Sequence, residues 1–146
     1  MNAEELWKES GLPGKYGTFS FGSDDPNGLI ALTIKDVKHA TTGALRLYEL
    51  DKEPVPEAGE YYIITDDEGN AHCIVKDVNV IICPFKDVTE EMAAIEGEGD
   101  KSLRYWKEAH LNFFTIDFKE HGLEFSESEQ VVFEQYKLVY LPAKHA

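Results

Sequence analysis

The segment of this chain best equipped for chemistry is Lys38-His39-Ala40-Thr41-Thr42, a lysine three residues ahead of a threonine. A lysine ammonium at a helix end, partly desolvated and facing a threonine hydroxyl, lowers the cost of deprotonating that hydroxyl and can stabilise an oxyanion. A carboxylate opposite it can carry the proton to a leaving nitrogen. The candidate carboxylates lie in Glu96-Gly97-Glu98-Gly99-Asp100, where the glycines let the backbone turn tightly and present one or both glutamates from a fixed position. Lys-x-x-Thr alone is a short and common pattern, and a solvated lysine beside a strand threonine would produce it equally well.

The charge distribution gives the two segments a reason to meet. From Lys35 to Arg46 the chain carries Lys35, Lys38 and Arg46 against only Asp36, with His39 alongside. From Asp87 to Asp100 it carries Asp87, Glu90, Glu91, Glu96, Glu98 and Asp100 and no Lys or Arg. A fold that joined them would build a site of opposed charges; left apart, both are solvated faces. Over the whole chain 28 acidic residues face 14 basic ones, a net charge of −14. Such a surface repels phosphates on average and argues against tight, non-specific binding of duplex DNA or long RNA, but not against a small pocket with a positive floor.

Other familiar chemistries fail on spacing. Counted from Glu96, a calcium loop needs glycine at its sixth position and glutamate at its twelfth, and finds Lys101 and Lys107. The same loop cannot cradle phosphate, because its carboxylates would repel the anion and no Gly-Lys-Ser/Thr follows. His72-Cys73 and Cys83 have no second His or Cys pair at zinc-site spacing. Cys73 and Cys83 read as reduced core thiols of a cytoplasmic protein. His110 reads as a hydrogen-bonded core histidine rather than a base. No Gly-x-Ser-x-Gly elbow is present. The first ten residues are too charged for a signal peptide, and no apolar run approaches a membrane span.

The elements that must position these residues follow from periodicity and breakers. Ala3 to Ser10 reads as a short helix stopped by Gly11-Leu12-Pro13-Gly14, and Thr18 to Phe21 as a short strand. Ser23-Asp24-Asp25-Pro26 opens a helix whose apolar stripe is Leu29, Ile30, Leu32, Thr33 and Val37. Ala40 to Leu50 reads as strand, and Asp51 to Gly59 as a proline-broken loop. Tyr61 to Thr65 and His72 to Pro84 form a hairpin. Asp87 or Thr89 caps a short helix through Ala94, and Asp100 caps a longer one presenting Leu103, Trp106, His110 and Phe113 on one face. Gln130 to Leu141 is a final strand. This order predicts an α+β fold with a mostly antiparallel, barrel-like sheet.

The chain resembles the ASCH family, the activating-signal-cointegrator homology domains, and its small bacterial branch in particular. The matching residues are Phe21-Gly22, Lys38-His39-Ala40-Thr41, Tyr48-Glu49, Gly59-Glu60-Tyr61, Cys73-Ile74-Val75, Pro84-Phe85-Lys86-Asp87-Val88 and Glu96-Gly97-Glu98-Gly99-Asp100-Lys101-Ser102-Leu103. Tyr105-Trp106, His110, Phe114 and Val132-Phe133-Glu134 through Tyr140 complete the set, so the resemblance runs from about Trp7 to Pro142 of one domain spanning 1–146. It implies a PUA-like β-barrel with flanking helices. One activity in the family is hydrolysis of the acetyl amide of N4-acetylcytidine by a Lys-x-x-Thr motif and a downstream glutamate. Carried over, these are Lys38, Thr41 and Glu96, with Glu98 the competing assignment. Asp36 stands where the family usually has glycine two residues before the lysine, and Asp takes the left-handed conformation at some cost.

The resulting expectation is a small amidohydrolase acting on an acylated nucleoside. Lys38, Thr41 and Glu96 would be catalytic, and Thr42, Glu98, Tyr48 and His39 would contact substrate. Two rival readings are an RNA-binding or RNA-cleaving PUA-like domain and a non-catalytic interaction module. The partner expected is a nucleoside or short RNA, with no duplex DNA and no membrane. No metal or organic cofactor is implied.

Overall fold

A computed structural model describes residues 1–22 and 25–143. Helix α1 (Ala3–Ser10) begins with a reciprocal cap, in which Asn2 accepts from the Glu5 amide and Glu5 accepts from the Asn2 amide, both at 2.9 Å. Strand β1 (Gly17–Phe19) is followed by α2 (Pro26–Ile34), whose first turn uses Asp25 as cap, its carboxylate accepting from the Gly28 amide at 3.1 Å. Of the expected helix start, Ser23 and Asp24 lie outside the described residues, while Asp25 and Pro26 act as anticipated.

Ala40 to Leu50 splits in two, contrary to the strand reading: β2 covers Ala40–Ala44 and a short helix α3 covers Leu45–Leu50. Leu45, Arg46, Leu47, Glu49 and Leu50 are all good helix formers, and Gly43 leaves room for the Tyr48 ring to fold back onto β2. Strand β3 (Tyr61–Thr65) and the long β4 (Ala71–Pro84) form the expected hairpin. A 3-10 turn at Phe85–Asp87 leads to α4 (Glu90–Glu96), capped by Thr89 through the Met92 amide. The long helix α5 (Leu103–Glu120) is capped by Ser102 and not by Asp100, whose carboxylate instead accepts from the Ser102 amide and fixes the cap. Strand β5 (Gln130–Tyr140) closes the set.

The strands form one sheet in the order β1-β3-β4-β5-β2, antiparallel except for the parallel β1–β3 pair. Among the described residues the sheet curls into a half-barrel flanked by five α-helices, an α+β fold, and β2 lies at one edge. One core cluster packs Ala40, Ala44 and Phe133 of the sheet against Phe85, Trp106, Phe114 and Phe118. A second, on the other face, gathers Phe21, Ile30, Ile64, Cys73, Val75 and Tyr136. The edge strand β2 carries Thr41 and Thr42 on opposite faces: Thr41 pairs with Glu134 and Thr42 with Phe133.

Candidate active site

The chain leaving α2 turns through Asp36, at φ 63 in the left-handed region, and the amides of Val37 and Lys38 both return to the Leu32 carbonyl. The next amide, His39, donates to the Ile95 carbonyl at 3.0 Å, which ties this turn to the end of α4. Gly97 makes that approach possible. It sits at φ 75, and a Cβ there would fall on the Val37 carbonyl.

These ties aim the Lys38 side chain inward, leaving it 1% exposed. Its ammonium donates to the Ala40 carbonyl at 2.6 Å and Glu98 Oε2 at 2.7 Å, lies 3.5 Å from Glu96 Oε2, and stands 5.2 Å from the Phe21 ring centre. An ammonium has three protons; two are taken by the short bonds to Ala40 and Glu98, and the third has only the long contact to Glu96.

Glu96, the last residue of α4, is as deeply buried as Lys38. Its Oε1 accepts from Thr42 Oγ1 at 2.7 Å and Trp106 Nε1 at 2.8 Å. Its Oε2 faces His110 Nε2 at 2.9 Å. The other ring nitrogen of His110, Nδ1, lies 2.8 Å from the Trp106 carbonyl. A carbonyl and a carboxylate can only accept, so both ring nitrogens must carry protons and His110 is an imidazolium. It stacks on the Trp106 indole with ring centres 4.0 Å apart. Burial alone would lower the His110 pKa, but the Glu96 charge and hydrogen bond outweigh it and raise the value.

The two glutamates are thereby separated in character. Burial would raise the Glu96 carboxyl, yet Lys38 and His110 hold it ionised, well below the usual carboxylate range. Burial raises Glu98, and the Glu96 charge adds to that effect against the pull of Lys38. Glu98 also keeps 14% of its side chain open to solvent.

Above this network opens a cleft of about 790 Å³. Phe21, Leu29, Leu32 and Phe113 give it an apolar wall, and Asp25, Asp117 and Glu120 lend it negative charge. Lys38, Thr41, Thr42, Glu96 and Glu98 all line it; His39 and Tyr48 do not. His39 is turned toward the Asp36 carbonyl, and Tyr48 packs on Gly43. His110, read from the sequence as a core histidine, is buried and hydrogen-bonded but also borders the cleft. Its role beside Trp106 was signalled by their four-residue spacing on one helix face. Glu96, Glu98 and His110 offer donor atoms within 4.8 Å of one another, close enough to hold a cation. The Lys38 ammonium and the His110 proton already supply positive charge to those oxygens.

The pattern that defines ASCH domains matches residues 17–140 of the sequence. The chain belongs to the ASCH domain family. An ASCH domain from Lactobacillus crispatus JV V101 is 30% identical and superposes with a TM-score of 0.86, covering 94% of this chain and 93% of its own. The protein EF3133 from Enterococcus faecalis V583 is 29% identical with a TM-score of 0.84, covering 98% of this chain and 91% of its own. No curated protein matches the sequence. Among the described residues of this ASCH domain, no helix is long and apolar enough to cross a membrane.

Proposed function

We propose that this ASCH domain hydrolyses a small, uncharged acyl amide, an acylated nucleoside such as N4-acetylcytidine. The observation that carries the reading is the Lys38 ammonium held on Glu98 at 2.7 Å beneath a cleft that Thr41 also lines. Glu98 takes a proton from the attacking water or Thr41 hydroxyl and delivers it to the departing amine nitrogen as the new C–O bond replaces the acyl C–N bond; where Thr41 attacks, a water then hydrolyses its acyl ester and frees the hydroxyl and the acid. Lys38 meets the negative charge that develops on the carbonyl oxygen. Glu98 suits the proton transfer better than Glu96: its raised affinity for a proton and partial exposure fit an acid/base, whereas both oxygens of Glu96 are committed to donors. Glu96 is then the anchor that holds Lys38, Thr42, Trp106 and His110 in place.

An uncharged substrate fits the acidic cleft, because a polyanion would meet Asp25, Asp117 and Glu120 as well as a net charge of −14. The rival reading as an RNA-binding domain therefore predicts tight, salt-sensitive binding that a mobility-shift assay would detect, and we expect none at physiological salt. The direct test is release of acetate from N4-acetylcytidine by the purified protein. Turnover by the wild type and none by Lys38→Met supports the reading; no release by the wild type from any acyl-nucleoside overturns it in favour of an interaction module.

A further inference from the structure

A second buried charged cluster lies away from Lys38. Asp77 on β4 and Glu134 on β5 are 1% and 4% exposed, and among the described residues both Asp77 oxygens and Glu134 Oε2 lack any hydrogen-bond donor. Asp77 pairs across the sheet with Tyr136, and Glu134 lies two residues before Tyr136 on the same face, so the two carboxyls are diagonal neighbours. Two carboxylates cannot satisfy each other, since neither has a proton to give, and two buried like charges repel. One proton resolves both faults by turning one group into a donor to the other.

We propose that Asp77 and Glu134 share a single proton in the folded protein, a proton-linked carboxyl pair beneath the strand that carries Thr41. Glu134 is the cross-strand partner of Thr41. Among the described residues, the groups acting on the pair include no cation. Tyr48 of α3, Tyr62 of β3 and Tyr136 of β5 present phenols, and Glu60 adds negative charge. Lys76 is turned away, its ammonium 5.4 Å from the centre of the Tyr61 ring. Tyr136 cannot spare its hydroxyl freely, because it lies 2.9 Å from Thr33 Oγ1.

Burial first, then the mutual interaction and the Glu60 charge, push Glu134 up to about 9; burial pushes Asp77 up to about 6. Both folded values lie above the ordinary carboxylate range, so the folded state binds more protons than the unfolded chain. Stability contributed by the pair is therefore complete at acidic pH and is lost as pH rises through the folded values. Between Asp77's value of about 6 and Glu134's of about 9, one extra bound proton makes the folding equilibrium constant fall roughly tenfold per pH unit.

Two measurements test this without reference to catalysis. Carboxyl carbon shifts of the wild-type protein, followed by NMR from acid to alkaline pH, should show one carboxyl of the pair still protonated at neutral pH. Chemical denaturation across the same range should show that Glu134→Gln, which keeps a neutral donor toward Asp77, has a shallower alkaline loss than the wild type, leaving the part that His110 contributes. Both carboxyls ionised at neutral pH, or an unchanged slope in Glu134→Gln, would overturn the proposal.

Discussion

Glu96 and Glu98 lie 3.5 and 2.7 Å from the same lysine nitrogen, yet their carboxyls are driven in opposite directions. The nearer one, Glu98, is raised and the farther one, Glu96, is lowered. Distance to Lys38 does not decide the matter; the remaining donors do. Glu96 collects a hydroxyl, an indole N–H and an imidazolium in addition to the ammonium, while Glu98 has the ammonium and a negative neighbour. Two carboxyls split in this way can serve as fixed anion and as proton carrier.

The split predicts different failures for the two amides. Glu98→Gln should lower turnover on an acyl-nucleoside by about 10²-fold or more, the scale of lost acid/base catalysis, while stability changes by under about 1 kcal/mol. Glu96→Gln sets its amide protons against those of His110 or Lys38 and should cost about 3–5 kcal/mol of stability, the cost of breaking a buried pair. Denaturant titration alongside turnover separates them. Full stability in Glu96→Gln would show that it is no anchor.

Lys38→Met keeps the length of the side chain and removes its charge. Glu96 retains His110, but Glu98 loses its ion-pair partner, and the variant should lose about 3–5 kcal/mol at neutral pH. The deficit should shrink as pH falls, because protonation of Glu98 removes the uncompensated charge. Urea unfolding of wild type and variant at acidic and neutral pH measures this. An equal deficit at both would mean that Glu98 is not the group left unpaired.

His110 sets a pH dependence of its own. Its folded pKa is raised above 6.5, so its stabilisation is complete below 6.5 and is lost as pH rises through the folded value. Glu96 acts oppositely: its folded pKa is lowered from 4.5, so its contribution is present above 4.5 and lost as pH falls through the folded value. Both contributions are in place between 4.5 and 6.5. His110→Gln should flatten the decline above that window, read as thermal midpoints across pH. The Asp77–Glu134 pair declines over an overlapping range, so the double variant His110→Gln/Glu134→Gln should flatten it further.

Much of this arrangement was legible in the residues. Opposed charges in Lys35–Arg46 and Asp87–Asp100 anticipated the Lys38–Glu98 contact, and the breakers around Tyr61–Pro84 located the hairpin. What sequence could not carry was three-dimensional accounting. Nothing local says that Glu96 will saturate its oxygens with donors from β2 and α5, which is the observation behind the proposal of Glu98 over Glu96 as proton carrier. Nor does the pattern of β4 reveal that Asp77 turns inward beside Glu134. Tyr48 and His39 were expected to contact substrate, but the helix at Leu45–Leu50 and the turn at Asp36 take them out of the cleft.

The two threonines give the sharpest test, because they are neighbours with opposite attachments. Thr42 donates to Glu96 Oε1 at 2.7 Å and faces the core cluster of β2, while Thr41 lies on the other face opposite Glu134 and lines the cleft. Thr42→Val removes one donor from a buried carboxylate and should cost about 1.5–3 kcal/mol, the range for a hydrogen bond to a charged group. Its turnover should fall only as far as the displaced Glu96 disturbs Lys38. Thr41→Val removes a hydroxyl from the cleft and should leave stability within about 0.5 kcal/mol. If that hydroxyl attacks or orients water, turnover on N4-acetylcytidine should fall by about 10²-fold or more. Denaturation and acetate release measured on both variants decide between them. The reverse pattern, with Thr41→Val active and Thr42→Val stable but inactive, would move the hydroxyl chemistry one residue along β2.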